Sequence, residues 1–282
     1  MKILGMMASG RKKGNSSLLL NLALESAGEA GAEVSTINLT EYQIKSCTGC
    51  MTCVLNQRPC PLEDDMAELL AQIQEAEGLI LAAPTYVLSP AAATKLLVDR
   101  FMMNARKVSD KGYQGVAATI TTAGLPTWNP MGEILNVIPL TFQFQLVDYL
   151  VAYGPGPGEP LLNDEIVTRA KELGKRVVAV WRGDGEKLPP EKDQCPFCYS
   201  RAFNLEPGGK LACCICSSKA RPTVVESGGW ELAFEPGWEE NNRFSPGVLS
   251  HHVHDWIIGS KDRYLAKLPE IQAKGILPRK KG

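Results

Sequence analysis

The sequence predicts a doubly wound α/β domain with a small metal-bound region behind it. Three observations carry that prediction. Short apolar runs alternate with helix-like stretches from residue 2 to about residue 184. One run, GLILAAP at residues 78–84, is nearly continuous in apolar residues, as a parallel strand covered on both faces requires. The nine cysteines of this 282-residue chain fall into two tight groups, one inside the alternation and one after it.

The elements follow in order. Residues 2–7 (KILGMM) read as the first strand, and a polar, glycine-containing turn, ASGRKKGNSS, leads into a helix ending near Gly28 or Gly31. Residues 33–39 (EVSTINL) read as the second strand, completing a β-loop-α-β opening. After the first cysteine group, residues 63–76 have helical character with acidic residues in the first turn, where the helix dipole favours them. Residues 78–84 make the third strand, and PAAATKLLVDRF starts a helix with Pro90 near its first turn. GVAATITT at 115–122 is the fourth strand, a helix is expected over 131–143, and QLVDYLV at 145–151 is the fifth strand. GPGPGEP breaks the chain before a long helix over NDEIVTRAKELGKRVVAVW. The expected strand order is 2-1-3-4-5.

KLPPEKDQ, at 187–194, marks a boundary. The expected division is 1–186 for the α/β domain, with a ligand loop at 47–60, and 187–282 for a ribbon-like extension and an irregular tail. DRYLAKLPEIQ supplies a short helix within that tail.

Composition narrows the function classes. The net charge of −1 makes no general case for nucleic acid, and the basic ending RKKG is too short to change this. No apolar run reaches the roughly 18–20 residues that span a bilayer. Residues 1–10 lack a secretory leader's pattern, so a cytoplasmic protein is expected. Two crowded groups and an odd total argue for metal ligation over structural disulfides.

The turn between the first strand and helix has phosphate-binding chemistry. Backbone N–H groups at a helix start can hold an anion. Ser9, Asn15, Ser16 and Ser17 add side-chain donors, Arg11 or Lys12 adds positive charge, and Gly10 and Gly14 allow close backbone approach. Asn15 stands where a nucleotide-triphosphate loop needs lysine, and no dinucleotide glycine pattern is present. The monophosphate of FMN suits this hydroxyl-rich loop. An ordinary polar β-α turn is the plainer alternative.

Cys47, Cys50, Cys53 and Cys60 form C-x2-C-x2-C-x6-C, a compact run able to wrap a [4Fe-4S] cluster. Soft thiolates suit zinc equally, so spacing alone leaves the metal open. Residues 195–216, CPFCYSRAFNLEPGGKLACCIC, place Cys195 and Cys198 on one knuckle and Cys213 and Cys216 on another, with Cys214 spare or substituting for Cys213. That arrangement is similar to a zinc ribbon, and the same four sulfurs also accept a single iron. His252 and His254 alternate as on a strand and, with His251, are expected to be structural or surface residues. Trp230, Trp238 and Trp256 are expected to stabilise the tail.

S9-G10-R11-K12-K13-G14-N15-S16, the four-cysteine run, and A83-P84-T85-Y86-V87-L88-S89-P90 leading to K95-L96-L97-V98-D99-R100-F101 together resemble the iron–sulfur flavoproteins. These are members of the NAD(P)H-dependent FMN reductase group, with a flavodoxin-like fold. The match covers about the first 100 residues and continues more weakly to about 180. The family's loop usually has proline where this chain has Gly10. The resemblance implies phosphate contacts from Ser9, Arg11, Asn15, Ser16 and Ser17, and ring or ribityl contacts from Pro84, Thr85, Tyr86 and Val87. It places Thr122, Ala123 and Gly124 on the flavin's other side; Tyr86 either packs against the ring or seals the core, and Trp128 either contacts the cofactor or substrate or has no such role. It also implies a homodimer or higher homo-oligomer, with the clusters near subunit interfaces.

The expected activity is electron transfer through FMN and [4Fe-4S], from ferredoxin or NAD(P)H to a small-molecule or protein acceptor. No side-chain acid–base pair is required. Two other readings remain: a redox-sensing or zinc-ribbon interaction protein without turnover, and a simple NAD(P)H-dependent flavin or quinone reductase.

Overall fold

The computed structural model describes residues 1–56, 58–130, 132–225 and 229–275. The chain opens with β1 (Lys2–Met7), α1 (Asn15–Glu29) and β2 (Glu33–Asn38). A short α2 (Thr52–Leu55) sits inside the cysteine loop, followed by α3 (Met66–Glu75), β3 (Gly78–Tyr86), β4 (Ser89–Pro90) and α4 (Ala92–Asp99). Then come β5 (Gly115–Ala123), α5 (Val137–Thr141), β6 (Phe144–Tyr153) and α6 (Asp164–Arg182).

The main sheet has the order β2-β1-β3-β5-β6, with every neighbouring pair parallel. This is the expected 2-1-3-4-5 winding. Its two faces carry different cores. Leu4, Met6, Leu79 and Leu81 face α3 and the cysteine side, packing on Met66, Leu69, Ile73 and Phe101. Ile3, Ile80, Ala82 and Ile120 face the other way, onto Leu19, Leu20, Leu24, Leu173 and Val177. Both parities of β3 are therefore buried, which explains its lack of polar alternation. Each such fully buried Leu or Ile contributes about 1.5–3 kcal/mol. α1 and α6 touch backbone to backbone at Gly174, where an added Cβ would lie 1.9 Å from the Ala23 carbonyl oxygen.

Two expectations along this stretch need correction. Pro90 does not begin a helix. It pairs with Thr85, and Ser89 pairs with Tyr86, in a hairpin beyond the sheet's end. Proline is tolerated there because the short returning strand has a free edge. Residues 131–143 do not form one helix: a 3-10 turn at Gly132–Asn136 precedes α5.

The last strand is irregular. A register shift against Ala117 and Ala118 leaves Val147 as a bulge in β6. Its carbonyl accepts the Leu188 N–H at 2.8 Å and the Tyr199 hydroxyl at 3.2 Å. Two residues on, the Tyr149 carbonyl accepts Arg169 at 3.0 Å. The region after residue 186 thus covers an edge that would otherwise pair with another strand.

That region forms a second, antiparallel sheet of β7 (Phe203–Glu206), β8 (Lys210–Cys213), β9 (Lys219–Val224) and β10 (Trp230–Phe234), in the order β10-β9-β8-β7. The sequence predicts only a ribbon-like extension and an irregular tail here. Pro222 inside β9 breaks the strand pattern, yet β9 reaches the sheet through β8 and β10. Leu140 and Leu146 of the main unit share one core with Cys195, Tyr199, Ile215 and Phe244. The chain then returns across the cysteine side of the main sheet through α7 (Pro246–His251), a π-helical stretch at His252–Ile258, and α8 (Ser260–Ala273), burying Leu249 and Val253 in the first core. His252 and His254 are accordingly helical, not strand residues. His254 Nε2 lies 2.9 Å from the Val108 carbonyl, and His251 pairs with Asp255 at 2.6 Å. No described helix is long and apolar enough to cross a membrane.

Candidate flavin and metal sites

All five parallel strands point the same way, so the loops after β1, β2, β3 and β5 emerge at one end of the sheet. Open α/β sheets bind ligands at that carboxyl end.

The loop after β1 is held from within. Ser9 is buried, its hydroxyl accepts the Arg11 N–H at 3.2 Å, and its carbonyl accepts Asn38 Nδ2 at 3.0 Å. Gly14 donates back to the Arg11 carbonyl at 3.0 Å. Gly14 precedes α1 in an extended conformation and supplies no side-chain cap. The first helical bond is from Leu18 to Gly14, so the N–H groups of Asn15, Ser16 and Ser17 have no intrahelical acceptor. A helix start of this kind is able to hold an anion, and Arg11 is exposed beside it.

The side chains work differently from the sequence expectation. Asn15 Nδ2 donates to the carbonyls of Gly154 and Gly156 at 2.9 and 3.1 Å, and its Oδ1 accepts the Gly158 N–H at 2.7 Å. Its amide braces the loop after β6, leaving the backbone N–H for a ligand. Ser16 Oγ and Thr122 Oγ1 are 2.7 Å apart, joining this loop to the end of β5. Ser17 Oγ donates to the Lys12 carbonyl at 2.9 Å.

Pro84, Thr85, Tyr86 and Val87 carry β3 past the sheet into a two-residue turn. Val87 and Leu88 both have positive φ, 48° and 67°, as a type I′ turn demands. Such a conformation is strained for a β-branched residue. Val87 is 89% exposed, Tyr86 53% and Trp128 65%, and Leu125 and Tyr153 are also exposed. Tyr86 therefore does not seal the core. Ala123 is buried and Gly124 exposed at the next strand end.

Asn129 was not foreseen. Its Oδ1 accepts the Thr85 hydroxyl at 2.9 Å, while its buried Nδ2 has no partner. It lines a cavity of about 580 Å³ with Tyr149, Tyr153, Arg169, Gln194 and Arg201. The sequence signal was only an Asn before a Pro, which reads as a turn.

Cys47, Cys50, Cys53 and Cys60 line one small cavity with Met51, Leu62, Met102 and Met103. Cys47 and Cys50 are exposed, and Cys53 and Cys60 are half-buried. Gly49 and Met51 take positive φ, 64° and 57°, to turn the loop between ligand positions. Hydrogen bonds from Thr52 bring the Cys50 thiol down to about 7, while burial and the neighbouring cysteines push Cys53 up. Beneath the loop, Arg100 and Asp64 form an ion pair whose side chains are each 1% exposed. Arg100 donates to Asp64 at 2.6 and 3.2 Å, to the Lys45 carbonyl at 2.8 Å and towards Cys60 Sγ at 3.4 Å. Burial alone would raise the Asp64 carboxyl. The Arg100 and backbone hydrogen bonds outweigh it and hold the group below its usual range.

The second cysteine group is more tightly drawn. The Sγ atoms of Cys195, Cys198, Cys213 and Cys216 all lie within 4.8 Å of one another and are buried, the one such quartet among the described residues. Cys195–Cys216 and Cys198–Cys213 contacts are both 3.4 Å, too long for disulfide bonds. Tyr199 and Ser217 take positive φ at matching positions of the two knuckles, and each donates its N–H to the first cysteine's carbonyl. Cys213, not Cys214, completes the set. A closed four-sulfur donor set of this size fits one tetrahedral ion. The four cysteines at 47–60 share one cavity but are not drawn together in this way; among the described residues only the 195–216 quartet is.

The NADPH-dependent FMN reductase family model matches residues 1–126. An iron-sulfur flavoprotein from Archaeoglobus fulgidus is 31% identical over 193 residues, covering 68% of this chain and 86% of that protein. The chain belongs to the FMN reductase family. This chain is a flavin-dependent oxidoreductase with a four-cysteine site at 195–216 able to hold a metal ion. A flavone synthase from Aspergillus candidus is 27% identical over 289 aligned positions, covering 90% of this chain and 88% of that one. A solved flavone reductase has a TM-score of 0.74 at 19% identity, covering both chains completely. The fold likeness therefore extends through the metal-site region.

Proposed function

We propose that this chain passes electrons through FMN and a [4Fe-4S] cluster, from NAD(P)H or a reduced ferredoxin to a small-molecule acceptor. The observation that carries this reading is topological: the uncapped start of α1 follows β1 and the four cysteines lie in the loop after β2, two neighbouring parallel strands, and the four cysteines line one cavity. When bound, FMN would supply exchange between two-electron and one-electron steps, and the cluster would supply one-electron transfer.

The chain's own residues position and exclude. The N–H groups of Asn15, Ser16 and Ser17 and the charge of Arg11 would hold the phosphate. Pro84, Thr85, Tyr86 and Val87, with Thr122, Ala123 and Gly124, would flank the ring. Cys47, Cys50, Cys53 and Cys60 would hold the cluster, and Cys195, Cys198, Cys213 and Cys216 a structural zinc. A planar aromatic acceptor fits the cavity at Asn129, which Tyr149 and Tyr153 also line, and the flavone-active proteins of similar length support that class. We assign residues 1–186 to the catalytic unit, residues 187–282 to the extension, and a cytoplasmic homodimer to the whole.

The test is an anaerobic visible spectrum of protein purified without added cofactor, with iron, sulfide and zinc counted on the same sample. The expected result is flavin bands, broad iron–sulfur absorption, about four iron and four sulfide, and one zinc per chain. Flavin without iron or sulfide would instead make this a simple flavin or quinone reductase. A cluster and flavin that no nicotinamide or ferredoxin donor reduces would favour a redox sensor.

A further inference from the structure

We propose that Arg100 is the positioning residue of the Cys47–Cys60 centre, donating a hydrogen bond to the Cys60 thiolate and raising the centre's reduction potential. The proposal rests on the cluster reading above. A guanidinium and a carboxylate are costly to bury, and a pair of this kind often adds little stability. Here both side chains are 1% exposed, and their bonds converge on the cysteine loop. Arg100 Nη1 reaches the Lys45 carbonyl, two residues before Cys47, at 2.8 Å. Nη2 reaches Cys60 Sγ at 3.4 Å. Asp64 accepts both guanidinium nitrogens and also the Lys45 N–H at 2.9 Å. The fork therefore clasps the two ends of the ligand loop, which are 15 residues apart in sequence, counting from Lys45 to Cys60.

The direction of the effect follows from charge. Reduction adds an electron to a thiolate-bound centre, and hydrogen bonds to its sulfurs stabilise the more negative state. Nη2 is 3.4 Å from Cys60 Sγ, 3.2 Å from Asp64 Oδ1 and 3.2 Å from Met103 Sδ, so the cation adjoins the cysteine sulfur and carries its own counter-ion. Arginine stays protonated at all working pH values, so the contribution does not switch off within that range. Lysine can keep the charge but not the planar fork.

The experiment measures iron, sulfide and the cluster's midpoint potential in wild type, R100K, R100Q and D64N. In the wild type, absence of iron and sulfide would overturn the cluster reading itself. With a loaded wild type, R100K and R100Q are expected to shift the one-electron equilibrium towards the oxidised form, by about tenfold in R100Q, or 59 mV. D64N, which removes the anion and leaves the donor, is expected to shift it the opposite way. Loaded arginine variants with potentials within twofold of wild type would overturn the proposal. So would shifts of the same sign in R100K and D64N, as a merely structural clasp gives. If neither arginine variant holds iron, D64N decides: an unchanged potential overturns the proposal and an upward shift upholds it.

Discussion

Single side chains at this molecule's ends do two jobs, and the division between them is testable. Asp64 has a depressed carboxyl in the folded chain. Its contribution to stability is present above its ordinary unfolded value, about 3.9, and is lost as pH falls through the folded value. Acid titration of unfolding, followed by circular dichroism, should show that loss below about pH 4 in the wild type and a flatter profile in D64N. The second cysteine group makes a sharper prediction. C213S should lose one metal ion per chain and lower the melting temperature, whereas C214S should retain both, because only Cys213 lies in the quartet. Metal counting on the two variants decides this. The quartet was legible from sequence because ligand spacing is local, and only the choice between adjacent cysteines needed the fold. Arg100 and Asn129 were not legible. The partners that tie Arg100 to the cysteine loop lie 36 to 55 residues away, and the Thr85 partner of Asn129 lies 44 away, so nothing near them in sequence signals the role.

At the scale of elements, alternation of apolar and amphipathic stretches was enough to place the parallel strands and their order. What it missed was short and irregular. The hairpin after β3 turns on Val87 and Leu88, residues that carry no turn signal, because an Asn-Gly or Asp-Gly pair is the usual mark of a type I′ turn. The conformation is held by Thr85–Pro90 and Tyr86–Ser89 pairing. V87G should relieve about 1 kcal/mol of left-handed strain and raise thermal stability, while weakening FMN binding through loss of the exposed side chain. Differential scanning calorimetry and flavin titration separate the two effects. Where α1 meets α6 the margin runs the other way. G174A places a methyl group against the Ala23 backbone, and the helices must part, at a cost of about 1–3 kcal/mol. Urea unfolding should show that loss. The sheet formed by β9 and β10 escaped the sequence reading because Pro222 sits inside a run that otherwise alternates.

Taken whole, the molecule ties distant segments to its strand ends. Asn15 fixes the loop at residues 154–158, Ser16 joins Thr122, and the tail beyond residue 245 returns to the core beside the cysteine loop. The FMN reductase resemblance, carried by the first 100 residues, pointed to the carboxyl end of the sheet for the flavin. The packing of the extension onto β6 was beyond sequence reasoning, since it depends on a bulge at Val147 that no composition marks. That bulge has a consequence for self-association. Growth of a sheet from copy to copy needs an open edge on each side of every copy. In this chain the carbonyls of Val147 and Tyr149 are already taken by Leu188, Tyr199 and Arg169, and β2 forms the opposite edge. Two copies meeting through β2 would end the series at a closed pair. In the main sheet, strand addition would therefore terminate instead of propagating into a fibre.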